Sequence, residues 1–252
     1  MVKTVRGLVL REVPYKESSR ILTVLTDTDG KMTVSANGAK RKGSKTAAAS
    51  QLLAYSEMTL SGSRGRWYLN DASTIELFEE LRIDICSLAL GTYFAELLET
   101  VVNEDMPDPE MLRLGLNCLF LLSKGRFPPE IIKPVFELKL MCFAGYEPML
   151  DGCAVCGSTE PERPLFDLSG GAVCCAACRS SISGRKAELC EDSLKAMRHI
   201  LSAQGASVFS FTLPTPALER LMRASEEYVS ECLERHFRSL QYYYDLKIVP
   251  ES

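Results

Sequence analysis

The chain has 252 residues, 46% of them hydrophobic and 25% charged, with a net charge of −4. That is enough for one large globular domain or two to three small ones. The longest apolar stretches, such as Ile83–Leu90, are interrupted by Asp84 and Ser87 and are too short to span a bilayer. The opening Met-Val-Lys-Thr-Val-Arg lacks the apolar core and cleavage site of a secretory leader, so the expected location is cytoplasmic.

Residues 1–70 hold 12 Lys and Arg against 5 Asp and Glu, and the rest of the chain holds 17 against 28. A surplus of seven positive charges thus joins a body with a deficit of eleven. The asymmetry points to a polyanionic partner for one end of the chain only, unless the charges merely solvate surface.

Residues 4–76 read as β structure. Val5, Gly7–Val9 and Val13 open a first strand, and Ile21–Leu25 form a second closed by the turn signal Asp27-Thr28-Asp29-Gly30. Met32–Ser35 follow, then the polar loop Asn37–Lys45, then strands at Leu52–Leu60 and Trp67–Leu69. Five short strands suit a small closed barrel, either an oligonucleotide-binding (OB) fold or an SH3-like one. From Glu76 the period changes to 3.6. Phe78, Leu81, Ile85, Leu88, Thr92, Ala95, Leu98 and Val102 mark one face of a long helix ended by Pro107 and Pro109. Further helices are expected at Met111–Leu122, Glu130–Phe143, Ser193–Ala203 and Pro216–Leu240. The last of these carries the i,i+4 pairs Glu219/Arg223, Glu231/Arg235 and Glu234/Arg238. The division is therefore 1–78 for the barrel, 79–149 with 186–245 for a helical domain, and 150–185 for a cysteine-rich insert. The fold class is α+β and multidomain.

Ten cysteines are many for a reducing compartment, where clustered thiols hold metal more often than they form disulfides. Cys86, Cys118, Cys142, Cys190 and Cys232 are scattered through apolar helices and read as small core residues. Cys153-Ala-Val-Cys156 and Cys175-Ala-Ala-Cys178 form two C-x2-C knuckles with the spacing of a four-thiolate zinc site. Gly157 and the pair Gly170-Gly171 supply flexible turns beside them. Cys174 competes with Cys175 as third ligand; Cys175 is favoured because it repeats the first knuckle's spacing. Four protein ligands leave no open position, so one structural Zn²⁺ is expected rather than a catalytic one.

No phosphate loop, dinucleotide fingerprint or nucleophile elbow is present, and His199 and His236 lack a neighbouring acid or thiol. No enzymatic activity is expected. The basic positions are more informative. Lys40, Arg41, Lys42 and Lys45 cluster on one Gly-flanked loop, and Arg64 and Arg66 on another. On a small barrel such loops can meet a nucleic-acid backbone without reading its sequence. Tyr15, Trp67 and Tyr68 are candidate stacking residues, with Trp67 read more readily as core. The competing readings are a metal-dependent nuclease with an appended zinc module and a transcription factor; the latter lacks a basic recognition helix in Cys153–Lys186.

The order "RGLVLREVPYKESSRILTVLTDTDGKMTVSANGAKRKGSK", then "FELKLMCFAGYEPML", "CAVCG" and "GGAVCCAAC" resembles the bacterial RecO family over nearly the whole chain. The most specific part is "LKLMCFAGYEP" running into a C-x2-C-G. The resemblance implies an N-terminal OB fold and a helical domain carrying a zinc finger. It implies a mediator of recombinational repair that binds single- and double-stranded DNA and anneals strands. It further implies work with RecR, in some settings RecF, to load RecA on strands coated by single-strand-binding protein. By position, DNA contacts fall on Lys40, Arg41, Lys42, Lys45, Arg64 and Arg66. The acidic C-terminal tail of single-strand-binding protein falls on 119–139, with Arg126, Lys133 and Lys139 as its cations.

Overall fold

The computed structural model describes residues 1–63 and 65–248. The chain divides into two compact units, Met1–Arg126 with the chain from Phe237 onward, and Phe127–His236.

In the first unit, β1 (Val2–Tyr15), β2 (Ser19–Thr26), β3 (Gly30–Ala36), β4 (Tyr55–Ser63) and β5 (Arg66–Glu76) close a barrel in the order β1-β2-β3-β5-β4. This is the expected OB arrangement. All neighbours are antiparallel except β3 and β5, which pair through Val34↔Trp67 and Ser35↔Tyr68. Alternation places Val5, Val9, Leu22, Val24, Val34, Met58 and Leu60 inside. Leu52–Ala54, expected at the start of a strand, are instead turn and link residues, and β4 begins at Tyr55.

The long helix expected from Glu76 is interrupted. A 3-10 turn at Glu79–Arg82 precedes α1 (Ile85–Val101), because Asp84 takes an extended conformation and caps α1 through the amides of Cys86 and Ser87. α2 (Pro109–Ser123) is capped likewise, by Asp108 on the amide of Met111. α1 lies beside both the barrel and α6 (Arg238–Ile248), with Tyr93 edge-on to Phe237 at 5.7 Å. Glu99 ties α1 to the barrel by accepting from Arg11 at 3.0 Å.

The second unit contains α3 (Pro129–Phe143), a small sheet of β6 (Leu165–Asp167), β7 (Ala172–Cys174) and β8 (Lys186–Glu188), then α4 (Glu191–Ser202) and α5 (Thr215–Cys232). The sheet order is β7-β6-β8, and Phe166 of β6 meets the ring of Tyr228 on α5 at 4.9 Å. The single helix expected over Pro216–Leu240 is two. α5 ends at Cys232, and Glu234 turns into the left-handed region at φ 50° before α6 begins. The i,i+4 pairing expected there changes with it: Arg223 bonds Glu227, and Glu231 faces Arg185. Glu234 lies in the break itself, and Arg238 begins α6.

Candidate metal centre and nucleic-acid face

The sulfurs of Cys153, Cys156, Cys175 and Cys178 all lie within 4.8 Å of one another. Each knuckle is a tight turn. Gly157 N–H donates to Cys153 O at 2.8 Å, and Cys178 N–H to Cys175 O at 3.0 Å. Gly157, at φ 76°, turns the chain out of the first knuckle in a conformation that a side chain would strain. Gly171 admits the Tyr228 hydroxyl 2.7 Å from where a Cβ would stand. The two turns are bound to each other and to the sheet. Cys175 N–H donates to Cys153 Sγ at 3.3 Å, and Ala154 N–H to Val173 O at 2.9 Å.

Four thiolates at about 2.3 Å from a tetrahedral ion stand about 3.8 Å apart. Cys156 Sγ and Cys175 Sγ are 3.7 Å apart, so the donor set fits such an ion. Burial alone would raise the Cys153 thiol, but amide donors at Cys156, Cys175 and Val155 outweigh it and bring it down to about 6. Burial and the neighbouring Cys153 and Cys156 sulfurs push Cys175 and Cys178 up. A cation shared among the sulfurs offsets both the burial and the neighbouring sulfurs that raise Cys175 and Cys178. Cys174 lies outside the cluster. It is fully buried at the end of β7, opposite Leu165, and its thiol is raised by that burial. The third sulfur of the cluster is therefore Cys175.

The barrel's basic residues sort into two groups. Lys3 pairs with Asp29, Arg6 with Glu57, Arg11 with Glu99 and Arg20 with Glu12, while Lys31 donates to Glu99 O at 2.7 Å. Lys16, Lys40, Arg41, Lys42, Lys45 and Arg66 make no ion pair among the described residues, and all six are exposed. The first five are also neighbours in the fold. Lys40 N–H donates to Ser18 O at 2.9 Å and Gly38 N–H to Ser19 Oγ at 3.3 Å, so the basic loop is bound to the β1–β2 turn that carries Lys16. The β3–β5 pairing sets Tyr68 opposite Ser35, next to the end of β3 from which the basic loop leaves, whereas Arg66 stands two residues earlier, at the start of β5. Arg64 lies outside the described residues. Trp67 packs against the barrel core under the Lys3 ammonium, 4.1 Å from its ring centroid, which favours its structural reading.

The three cations expected for a peptide tail are not equivalent. Arg126 is exposed with its guanidinium 5.6 Å from the Phe120 ring. Lys133 is fully buried, contrary to the surface position expected for it, and bridges Glu137 at 2.9 Å and Glu226 at 3.0 Å. Lys139 donates to Leu201 O and Ala203 O at 2.9 and 2.8 Å, closing the carbonyl end of α4. His236 is exposed beyond α5, and His199 meets Ser207 O at 2.9 Å. No described helix is long and apolar enough to cross a membrane.

Two family descriptions match this chain: Recombination protein O N terminal over residues 1–78, and Recombination protein O C terminal over residues 82–241. A DNA repair protein RecO from Acetivibrio thermocellus is 32% identical over 237 residues, covering 94% of each chain. One from Exiguobacterium sibiricum is 33% identical and covers 88% of each. One from Caldicellulosiruptor bescii is 33% identical over 71% of this chain and 72% of that protein.

Proposed function

Since the chain belongs to the RecO family of DNA repair proteins, we propose that it is a non-catalytic recombination mediator working on DNA in the cytoplasm. In this reading residues 1–78 are the DNA-binding module, and 150–185 a zinc finger set within a helical domain of 79–149 and 186–245. The observation that carries the DNA assignment is the gathering of five uncompensated cations, Lys16, Lys40, Arg41, Lys42 and Lys45, around one turn and one loop of the barrel. Phosphates replace the acidic partners these residues lack, releasing counterions and giving salt-sensitive, weakly sequence-specific binding to single and double strands. Two complementary strands held by mobile ionic contacts keep their base edges free, which is what annealing requires.

Zinc is the proposed metal, because four sulfur donors within tetrahedral reach select it over the oxygen-seeking cations. With all four positions filled by Cys153, Cys156, Cys175 and Cys178, its role is to hold the two knuckles and the small sheet together. RecR, and RecF in some settings, are the proposed partners in loading RecA onto strands coated by single-strand-binding protein. The acidic tail of that protein is assigned to Arg126 with the Phe120 ring, a cation and an apolar surface that suit a carboxylate-ended peptide. Lys133 and Lys139, both engaged within their own unit, serve instead to brace α3.

The deciding experiment is annealing of complementary strands coated with single-strand-binding protein, in the absence of nucleotide. The protein should accelerate it without altering strand length. Absence of acceleration, or divalent-metal-dependent shortening of the strands, would overturn the reading.

A further inference from the structure

Among the described residues, Lys16 is the one uncompensated barrel cation outside the two basic loops, and its surroundings form a site of their own. β1 and β2 end on the pair Tyr15↔Ser19, and the turn Lys16-Glu17-Ser18 joins them. Lys16 takes φ 55°, a conformation that a lysine holds only where neighbours fix it. Two hydrogen bonds from the basic loop do so: the Lys40 amide on Ser18 O and the Gly38 amide on Ser19 Oγ. Hairpin tip and basic loop are thus one construction. Between them opens a recess of about 600 Å³ lined by Lys16, Glu17, Ser18, Asn37 and Arg41 among others. Tyr15, next to Lys16 in the chain and paired with Ser19, both of which line the recess, has half of its surface exposed, with the Lys16 ammonium 5.3 Å from its ring centroid.

This recess is not lined by cations alone. Glu17 and the Asn37 carbonyl accept hydrogen bonds, while Arg41, Lys16 and the Asn37 amide donate them. That mixture suits the edge of a nucleobase better than a phosphate, which Glu17 repels. An exposed aromatic ring beside a cation supplies a face for the same base to stack on. Base edges and base faces are open together only in an unpaired strand. We propose that the β1–β2 hairpin tip is a single-strand subsite. One unstacked nucleotide lies on Tyr15, its base edge directed into the recess between Glu17, Asn37 and Arg41. Its flanking phosphates meet Lys16 and the Lys40–Lys45 loop. The inference rests on the proposed DNA-binding face and adds to it a device that distinguishes single strands from duplex.

The test is fluorescence anisotropy at fixed salt with an end-labelled oligo(dT), the same strand carrying abasic positions, and a duplex of equal length. Tyr15→Ala should weaken oligo(dT) binding roughly 5- to 150-fold, the range for removing one stacked base, with duplex affinity held within about twofold. Tyr15→Phe should keep both affinities, and the abasic strand should bind the unaltered protein about as weakly as oligo(dT) binds Tyr15→Ala. Equal losses on strand and duplex, or full affinity for the abasic strand, would overturn the subsite. A parallel variant with Lys40, Arg41, Lys42 and Lys45 all changed to Ala separates the two claims. If that variant loses affinity for both DNAs while Tyr15→Ala loses none, the subsite fails alone. If it loses none, the basic face itself is wrong.

Discussion

The barrel and the unit Phe127–His236 use the same two cationic residue types to opposite ends. In the barrel, the exposed Lys16, Lys40, Arg41, Lys42 and Lys45 have no acidic partner among the described residues, and these five collect around one turn and one loop. In the helical unit most cations are occupied, the exposed Arg163 and Arg179 being exceptions among the described residues. Lys133 lies between Glu137 and Glu226, Arg185 faces Glu227 and Glu231, Lys195 pairs with Glu191, and Arg223 with Glu227. Lys139, Lys186 and Arg198 spend their donors on backbone carbonyls. A count of residues along the chain therefore misstates what a ligand would meet. Available charge is what remains after internal partners are satisfied, and here that remainder is concentrated on the barrel.

The largest effect is expected at the metal centre. Cys153→Ser or Cys178→Ser should abolish zinc binding and destabilise the second unit by at least several kcal/mol, as structural zinc sites contribute folding energy directly. Cys174→Ser should keep the metal. Metal content by mass spectrometry and melting temperature by calorimetry decide both, and zinc loss in Cys174→Ser would reverse the ligand assignment.

Next in size is the buried ammonium. Lys133→Ala leaves the buried Glu137 carboxylate without its cation and should cost about 3–5 kcal/mol, while Lys133→Met together with Glu137→Leu should recover much of that loss. Chemical denaturation of the single and double variants measures it. A Lys133→Ala protein of unchanged stability would mean that this cation is not committed as its geometry indicates.

A smaller, pH-dependent effect belongs to Glu80. Lys124 and Ser123 donate to its carboxylate and draw it from an ordinary 4.5 down to about 2. A depressed carboxylate stabilises fully above its unfolded value, and the contribution disappears as pH falls from about 4.5 through about 2. Melting temperature should thus fall less steeply with acid in Lys124→Ala than in the unaltered protein. Because the pair is exposed, the difference should be slight and should shrink in high salt.

Local signals made much of this legible in the sequence. The knuckles needed only spacing and flanking glycine, since each ligand pair lies within one turn. The barrel strands followed from alternation, and the Asp27–Gly30 turn fixed one hairpin. The helix ends at Asp84 and Glu234 were not legible. There the apolar period runs on across the break, from Leu81 to Ile85 and from Val229 to Leu240, with neither glycine nor proline to mark it. Lys133 misleads for a different reason. One of its carboxylates, Glu226, stands 93 residues away, so no local pattern announces the pairing. Lys16 carries no signal either, because its importance comes from hydrogen bonds between two loops and not from a run of like charge.

Whether the charge available to DNA sits on the barrel loop can be read from the slope of log affinity against log salt for single-stranded DNA. Changing Lys40, Arg41, Lys42 and Lys45 together to Ala should reduce the slope by about 0.7 for each phosphate no longer neutralised, with zinc content and melting temperature unchanged. An unaltered slope would contradict this, because the phosphates would then be met by cations outside the loop.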